Sequence, residues 1–335
     1  MPCIVTVGGF YGDEGKGKVI AYLARKDKPA IAVRGGVGPN AGHTFSFEGK
    51  EYKVRMLPSA ALSPTTRLLI GPGVLVNPQV LLGEIARFQA EDRTFVDNQC
   101  GIIEQIHIDR DSAEDYLKSK VGTTGTGTGP ANADRALRTL KMARDIPELS
   151  PYIEDVSNSV NYALEKKEKV IVEGTQGTYL SLFHGGYPYV TSKDVTASGI
   201  CSDIGIGPKR VDEVLVVFKA YVTRVGGGPL EKELSEEEAK KRGWSEYGSV
   251  TGRQRRAAPF DMELAKKAIR LNSATQIAVT KLDVVFPQSA GVTEYTKLPA
   301  EAKKFIENIE SEMGLRVTLI GTGQTLYDVV DRVPS

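Results

Sequence analysis

A glycine-rich segment with two lysines follows the first apolar run of the chain. Its seven residues are Gly12, Asp13, Glu14, Gly15, Lys16, Gly17 and Lys18. The backbone N–H groups of such a loop, followed by a helix N-terminus, bind phosphate. The spacing matches a nucleotide P-loop, but Val19 stands where that motif has the Ser or Thr that holds magnesium. We therefore predict a phosphate site in which Asp13 supplies the metal ligand.

A second motif, Thr280-Lys281-Leu282-Asp283, ends a β-like run near the C-terminus. A carboxylate at Asp283 can accept hydrogen bonds from both N1–H and the exocyclic amine of guanine, whereas adenine offers no matching pair of donors. The lysine stem of Lys281 can lie along the base. Four residues alone also fit a strand end with a solvated Asp, but together with the phosphate loop they favour a guanine nucleotide.

Apolar runs and helical periodicities alternate along the 335 residues that must position these motifs. Strands are predicted at 3–7, 30–34, 67–70, 74–76, 170–173, 213–224, 276–281 and 316–320, helices at 19–25, 78–90, 151–167, 235–242, 262–271 and 300–312, and a hairpin at 44–56. This order predicts an α/β fold, P-loop-like, with a mostly parallel central sheet flanked by helices and with β-hairpin and loop insertions. We expect residues 1–335 to form a single elaborated domain.

Composition excludes several classes of protein. The 43 basic and 42 acidic residues nearly cancel, which argues against a nucleic-acid-binding protein. No apolar run approaches the roughly 20 residues that span a membrane, and no export signal is visible. Cys3, Cys100 and Cys201 are isolated, without the spacing of a disulfide framework or a zinc site. We expect a protein of the reducing cytoplasm with no membrane partner.

Seven stretches together resemble the adenylosuccinate synthetase family: Gly12–Lys18, Asn40–Thr44, Gly122–Gly125, Glu173–Gly177, Tyr187–Ser192, Thr223–Pro229 and Thr251–Arg256. Their order covers almost the whole chain, and the length is similar to that of the short, archaeal form of the family. The resemblance implies GTP-dependent ligation of L-aspartate to IMP through a 6-phosphoryl-IMP intermediate, in AMP biosynthesis.

Three residues acquire catalytic roles from this resemblance. Asp13 would remove the N1 proton of IMP, so that O6 attacks the γ-phosphate of GTP. His43 would act as the acid that stabilises the transferring phosphate, a role that suits a histidine titrating near neutrality. Gln176 would complete the catalytic group. The resemblance also implies Mg²⁺, held by Asp13 and the carbonyl of Gly42.

The substrate sites follow from the same resemblance. GTP would contact Gly12, Glu14, Gly15, Lys16, Gly17, Lys18, Gly42, His43, Thr44, Lys281, Asp283, Gly321 and Gly323. IMP would contact Asp13, Asn40, Thr124, Arg138, Gln176, Thr191, Val225 and Arg253. Aspartate would contact Thr251, Arg253 and Arg255, with Arg256 in the same arginine cluster, because forked guanidinium donors suit two carboxylates. Arg138 would reach IMP from a second subunit, which implies a homodimer.

Single residues also allow other interpretations. His43 could be structural, and the arginine cluster could be a solvated face or a nucleic-acid patch. The family usually has Arg at the position of Gln254, a departure that concerns aspartate recognition. It often has Ser at the position of Gly321, a departure that concerns guanine recognition. Three alternative functions remain: a phage enzyme that aminates dGMP, where Ser typically replaces the loop Asp; a GTP-dependent phosphotransferase, which would not need the arginine loop; and a GTP-binding switch, which would usually keep the P-loop Ser or Thr.

Overall fold

A ten-stranded sheet organises the protein in the computed structural model, which describes residues 2–248 and 252–333. Across the sheet the strands are β16 (Val329–Asp331), β15 (Val317–Gly321), β14 (Gln276–Thr280), β11 (Glu213–Lys219), β1 (Cys3–Gly8), β10 (Val170–Glu173), β2 (Ile31–Arg34), β5 (Arg67–Ile70), β7 (Thr94–Asp97) and β9 (Ile153–Glu154). Only β16 runs antiparallel to its neighbour. The predicted α/β fold with a mostly parallel sheet is confirmed.

Helices cover both faces of this sheet, which explains the near-continuous apolar runs of its strands. Along β11, Leu215 and Val217 pack with Ile20 on the face covered by the first helix, whereas Val216 and Phe218 point into the larger core on the other face. Ten α-helices are described: α1 (Lys16–Asp27), α2 (Pro78–Phe88), α3 (Gln105–Ala113), α4 (Thr128–Leu137), α5 (Val156–Glu165), α6 (Ala197–Ile204), α7 (Glu236–Lys241), α8 (Met262–Asn272), α9 (Leu282–Val285) and α10 (Ala300–Met313). None of the helices in these ranges is long and apolar enough to cross a bilayer.

Two predicted elements are wrong in their bounds. The helix predicted over 151–167 begins only at Val156, because the Asp155 carboxylate accepts a hydrogen bond from the Asn158 N–H at 2.9 Å and caps it there. The strand predicted over 213–224 is broken at Ala220. Its second half, β12 (Tyr221–Arg224), leaves the sheet and pairs with β13 (Arg256–Pro259), which turns the following loops towards the carboxyl edge.

The predicted hairpin is confirmed as β3 (His43–Phe47) and β4 (Lys50–Val54). It packs beside α1 and places His43 at the first position of β3. Two short strands, β6 (Leu75–Val76) and β8 (Gly101–Ile102), form a separate parallel pair. The loops after β1, β2, β10, β11 and β14 therefore meet at one edge of the sheet, where open α/β sheets bind ligands.

Candidate active site

A large cavity of about 990 Å³ opens at this edge. Most of the predicted site residues line it: Gly12, Asp13, Gly15, Lys16, Gly17, Lys18, Asn40, Gly42, His43, Thr44, Thr124, Gln176, Thr191, Val225, Arg253, Arg255, Lys281 and Gly323. Glu14, Arg138, Asp283 and Gly321 do not belong to its lining, and Thr251 lies outside the described residues. The structure thus brings the predicted nucleotide, IMP and aspartate residues around one space.

The phosphate loop is shaped from inside by Glu14. The buried Glu14 carboxylate accepts hydrogen bonds from the N–H groups of Phe10 at 3.0 Å and Gly12 at 2.8 Å, and it pairs with Lys16 Nζ at 2.7 Å. Gly15 adopts φ 86° immediately before α1, a conformation that favours glycine. The result is a tight turn whose N–H groups and helix N-terminus are arranged as an anion site. Glu14 supports this loop without facing the cavity.

The guanine motif is attached directly to the phosphate loop. Thr280 Oγ1 donates to the carbonyl of Glu14 at 2.6 Å, which ties the end of β14 to that loop. Asp283 Oδ1 is buried and has no hydrogen-bond partner within 2–248 and 252–333. An unpaired buried carboxylate oxygen is costly unless a ligand donates to it. This is the acceptor that the sequence assigned to guanine.

Lys18 occupies an unexpected place. Its Nζ donates to the carbonyls of Gly323 at 2.6 Å and Asp328 at 2.8 Å, in the loop after β15. Burial lowers the pKa of Lys18 to about 8. Its assignment to the GTP site stays a prediction, but the contacts lie on the predicted base side of the cavity.

His43 belongs to a buried ionic network. Its Nδ1 contacts the carboxylate of Glu173, and Arg34 Nη1 lies 2.8 Å from the same carboxylate. Ser59 completes the set, donating to Glu173 through its N–H at 2.6 Å and its hydroxyl at 2.8 Å. Because a carboxylate only accepts, Nδ1 of His43 carries the ring proton and Nε2 carries the lone pair. The network fixes the ring at the wall of the cavity.

The expectation that His43 titrates near neutrality is wrong for this arrangement. Burial and the neighbouring Arg34 lower its pKa to about 4, despite the opposing effect of Glu173. Burial favours the neutral form of Glu173, but His43 and Arg34 hold its pKa at about 2. The imidazole is therefore neutral and Glu173 is ionised at pH 7. Acting as an acid would require the negative charge of bound phosphates to raise the pKa of His43.

These pKa shifts predict that acid weakens the fold. Unfolded His43 takes up a proton near pH 6.5, whereas the folded protein takes it up only near pH 4, so stability falls as pH drops through that window. Glu173 adds a further loss between its unfolded value of 4.5 and about 2. Between pH 7 and pH 4.5 we expect His43 to contribute a loss of about 2 kcal/mol in unfolding free energy.

Urea unfolding at both pH values checks this prediction. His43→Gln should show a smaller pH dependence than the wild type, whereas His184→Gln, at an exposed histidine, should keep the wild-type dependence. Equal pH dependence in all three proteins would contradict the prediction.

A chain of charges crosses the floor of the cavity. Arg255 Nε lies 2.9 Å from Asp13 Oδ2, and its Nη1 donates to Glu246. Glu246 also pairs with the buried Lys219 at 2.9 Å and accepts from the hydroxyl of Tyr221. Burial would raise the pKa of Glu246, but Lys219 and Arg255 hold it well below its usual range. The predicted base therefore faces the predicted aspartate-binding arginine.

The remaining predicted residues fall into two groups. Arg253 donates to the carbonyls of Gly122 and Thr123, both at 2.8 Å, which joins the arginine loop to the Gly122–Gly125 segment. Asn40 Oδ1 and Gln176 Nε2 are buried without hydrogen-bond partners in the described part of the chain, as expected of groups that await a ligand. Thr124 and Thr191 lie on the same wall.

Other members of the arginine loop face away. Arg256 is not in the cavity lining, because it pairs with Glu233 at 2.8 Å through Nε. Its inclusion in the aspartate cluster is therefore wrong for this structure. Gln254 is exposed and outside the lining, so the departure from the family pattern leaves the cavity wall unchanged. Arg138 is exposed at the end of α4 and does not line the cavity.

Sequence reasoning missed four residues of the site: Arg34, Ser59, Lys219 and Glu246. Two of them carried a signal, because Arg34 and Lys219 are charged residues that end otherwise apolar parallel strands. Glu246 lies in a loop and Ser59 begins a short 3-10 helix, both outside any motif. Only the tertiary structure brings Glu246 to the cavity floor and Ser59 to His43.

Comparison with known proteins decides the family. The family model described as adenylosuccinate synthetase matches residues 5–147 and 139–289. The adenylosuccinate synthetase of Methanocaldococcus jannaschii is 54% identical over 334 residues, which are 99% of this chain and 97% of that protein. The chain belongs to the adenylosuccinate synthetase family.

Further similarities agree with this assignment. The adenylosuccinate synthetase of Archaeoglobus fulgidus is 53% identical over 331 residues, covering 99% of this chain and 98% of that one. The fully ligated adenylosuccinate synthetase of Plasmodium falciparum superposes with a TM-score of 0.90 at 27% identity, covering 98% and 99% of the two chains. The predicted family is confirmed, and with it a ligase of adenylosuccinate synthetase type.

A cyanophage S-2L succinoaminodeoxyadenylate synthetase, bound to dGMP and dATP, gives a TM-score of 0.80 at 26% identity, covering 100% of this chain and 96% of that one. The adenylosuccinate synthetases are therefore the better match, and the phage alternative is less supported.

Proposed function

We propose that this chain joins L-aspartate to IMP at the expense of GTP, giving adenylosuccinate, GDP and phosphate. One observation carries the proposal: a single cavity is lined by the phosphate loop, by Lys281 of the guanine motif, by His43 and by Arg255. A phosphotransferase or a switch would have no use for the last of these. Asp13 is retained, which favours IMP over dGMP as the acceptor.

The chemistry divides into two steps. Asp13 accepts the N1 proton of IMP, O6 attacks the γ-phosphorus of GTP, and the bond to the β-phosphate oxygen breaks to release GDP. The aspartate amine then attacks C6, loses a proton, and phosphate leaves with the C6–O6 bond electrons. Arg255 orients the dicarboxylate, and Gln176 and His43 contact the transferring phosphoryl group. Asn40, Thr124, Thr191, Val225 and Arg253 hold the nucleotide acceptor.

A magnesium ion fits the residues present. Mg²⁺ prefers oxygen ligands and is commonly held by one carboxylate together with substrate phosphates and water. Asp13 and the carbonyl of Gly42 lie in the same cavity and supply oxygen donors, and no cluster of three or more His, Cys, Asp or Glu competes for the metal in the described part of the chain. When bound, the ion would neutralise phosphate charge.

We also propose a single elaborated domain and a homodimer. The domain is supported by the sheet, which includes strands from both ends of the chain. The dimer is supported by exposed apolar side chains on two adjacent helices, Ile106 at 61% exposure and Leu137 at 70%. Arg138 follows Leu137 directly and would reach the IMP site of the partner.

The trans role makes a specific prediction. Arg138→Ala should raise the KM for IMP about 10- to 100-fold, because a charged hydrogen-bond donor is lost. Mixing Arg138→Ala with an Asp13→Ala variant should restore activity, since one of the two sites in a hybrid dimer keeps both residues. Arg144→Ala, at an exposed arginine beyond α4, is the control. A monomer that is fully active at assay concentration would contradict the prediction.

The test of the function is an absorbance assay for adenylosuccinate with IMP, aspartate, GTP and magnesium, beside reactions that lack one substrate each. Product only with the full set supports the ligase. GTP hydrolysis without aspartate-dependent product would favour a phosphotransferase or a switch. Product from dGMP in place of IMP, and none from IMP, would assign the phage-type specificity.

A further inference from the structure

Lys18 stands at the position where the nucleotide P-loop has its phosphate-binding lysine, which reaches the β- and γ-phosphates. In this structure its ammonium is turned away from that role. Both described contacts of Nζ are backbone carbonyls of residues 323 and 328, more than 300 positions along the chain. Only 9% of Lys18 is exposed. Charged hydrogen bonds of this kind contribute to stability when buried, so they oppose movement of the Lys18 ammonium towards a phosphate.

The loop that accepts these hydrogen bonds is closed on itself. The N–H of Thr322 donates to the Asp328 carbonyl at 2.9 Å, and the N–H of Thr325 donates to the Asp328 side chain at 2.8 Å. A Cβ at Gly323 would lie 2.5 Å from Asp328 Oδ2, so a larger residue there would have to displace the Asp328 side chain. Lys18 therefore bonds to both ends of a compact loop, and Gly323 of that loop is the predicted wall of the base pocket.

The phosphate loop, which leads into Lys18, also contacts the guanine motif, on the opposite side of the base pocket. Thr280, which precedes Lys281, donates to the carbonyl of Glu14 in the phosphate loop. Lys18, four residues after Glu14, donates to the loop that contains Gly323, on the other side of the base pocket. The two strands β14 and β15 are neighbours in the sheet. The beginning of α1 thus sets the distance between the two sides of the base pocket.

We propose that Lys18 is a positioning residue for guanine recognition: it holds the loop with Gly323 against the base, and it does not bind the phosphates. The proposal rests on the proposed function in taking Asp283 and Gly323 as the guanine site. Without the Lys18 ammonium, the loop can move away from the base, and the discrimination that depends on a close fit is lost.

The test compares GDP with IDP. IDP lacks only the exocyclic 2-amino group, from which Asp283 would accept a hydrogen bond. Equilibrium binding of each nucleotide is measured by calorimetry for the wild type and for Lys18→Met. The wild type should prefer GDP, and Lys18→Met should reduce this preference about tenfold, by the loss of about one hydrogen bond at the base. Asp283→Asn should lose the preference as well. The double variant should show no further loss, because both changes act on one contact.

Matched variants separate positioning from general damage. Lys26→Met, in the same helix but exposed, should leave the preference unchanged. Lys18→Gln keeps N–H donors without the charge and should retain part of the preference, and it serves as the test if Lys18→Met does not fold. Thermal unfolding reports loss of structure independently of the ratio.

Two outcomes would overturn the proposal. If Lys18→Met weakens the binding of GDP and IDP equally, the lysine acts on the phosphates. If it weakens the binding of neither, the hydrogen bonds from Lys18 to the loop have no role in recognition. A wild type that binds both nucleotides equally would instead reject the guanine site itself, and with it this part of the proposed function. Because binding is measured without IMP and aspartate, a failure of the ligase reaction leaves the result interpretable.

Discussion

Replacing Asp13 with alanine is expected to lower the rate of adenylosuccinate formation about 10²- to 10⁴-fold, the range associated with a positioned proton acceptor. Asp13 lies in the phosphate loop and lines the cavity, with its Oδ2 2.9 Å from Arg255 Nε. The alanine variant cannot accept the N1 proton, and it also removes the carboxylate proposed to bind magnesium. Arg255 loses its ion-pair partner, but its burial does not change. We therefore expect the KM for aspartate to change less than the turnover rate.

Turnover at saturating IMP, GTP and aspartate is the measurement. Asp13→Asn keeps the size of the side chain but has no carboxylate to accept a proton, so its turnover should be almost as slow as that of Asp13→Ala. Asp92→Ala, at an exposed aspartate after α2, is the matched control and should retain wild-type turnover. A folded Asp13→Ala protein with near-normal turnover would show that the base lies elsewhere.

The second large effect concerns stability. Glu173→Ala should lower the unfolding free energy by about 3–5 kcal/mol, because it leaves the guanidinium of Arg34 buried without its counter-charge. Both side chains are fully buried, and their N–O distance is 2.8 Å. The same change frees the ring of His43, so turnover should fall in the fraction that remains folded.

Urea unfolding at pH 7 measures this loss. Glu238→Ala is the control, since that exposed glutamate pairs with Arg242 one helical turn away, and such pairs contribute no more than about 0.5 kcal/mol. The double variant Arg34→Met/Glu173→Leu should recover much of the stability, because no uncompensated charge remains. A loss in Glu173→Ala no larger than that in Glu238→Ala would contradict the prediction.

Local sequence patterns predict the elements that follow local rules. Strands β5 and β10 have the predicted bounds, because each is a short apolar run closed by turn residues. The path of the chain after Ala220 could not be predicted, since β12 pairs with β13 more than thirty residues later. Lys219 interrupts the β-branched run just before the break, but it does not indicate the change of partner.

The site shows the same division. Motif spacing identifies the phosphate loop with Asp13, and the family resemblance identifies His43, Arg255 and most other residues of the cavity wall. It cannot show that Arg255 faces Asp13, or that Lys18 points to the base loop, because those contacts join segments hundreds of residues apart. Motif spacing also does not show ionisation, since the low pKa of His43 depends on burial and on the position of Arg34 at the end of β2.

The position of β1 at the centre of the sheet has a consequence for synthesis on the ribosome. This strand precedes both of its neighbours in the chain, since β10 begins at Val170 and β11 begins at Glu213. Until β10 has been synthesised, a strand that is apolar on both faces has no native neighbour. An unpaired apolar strand is a site for association with other chains. The nascent chain therefore depends on rapid elongation or on chaperone binding to keep its first strand from aggregating.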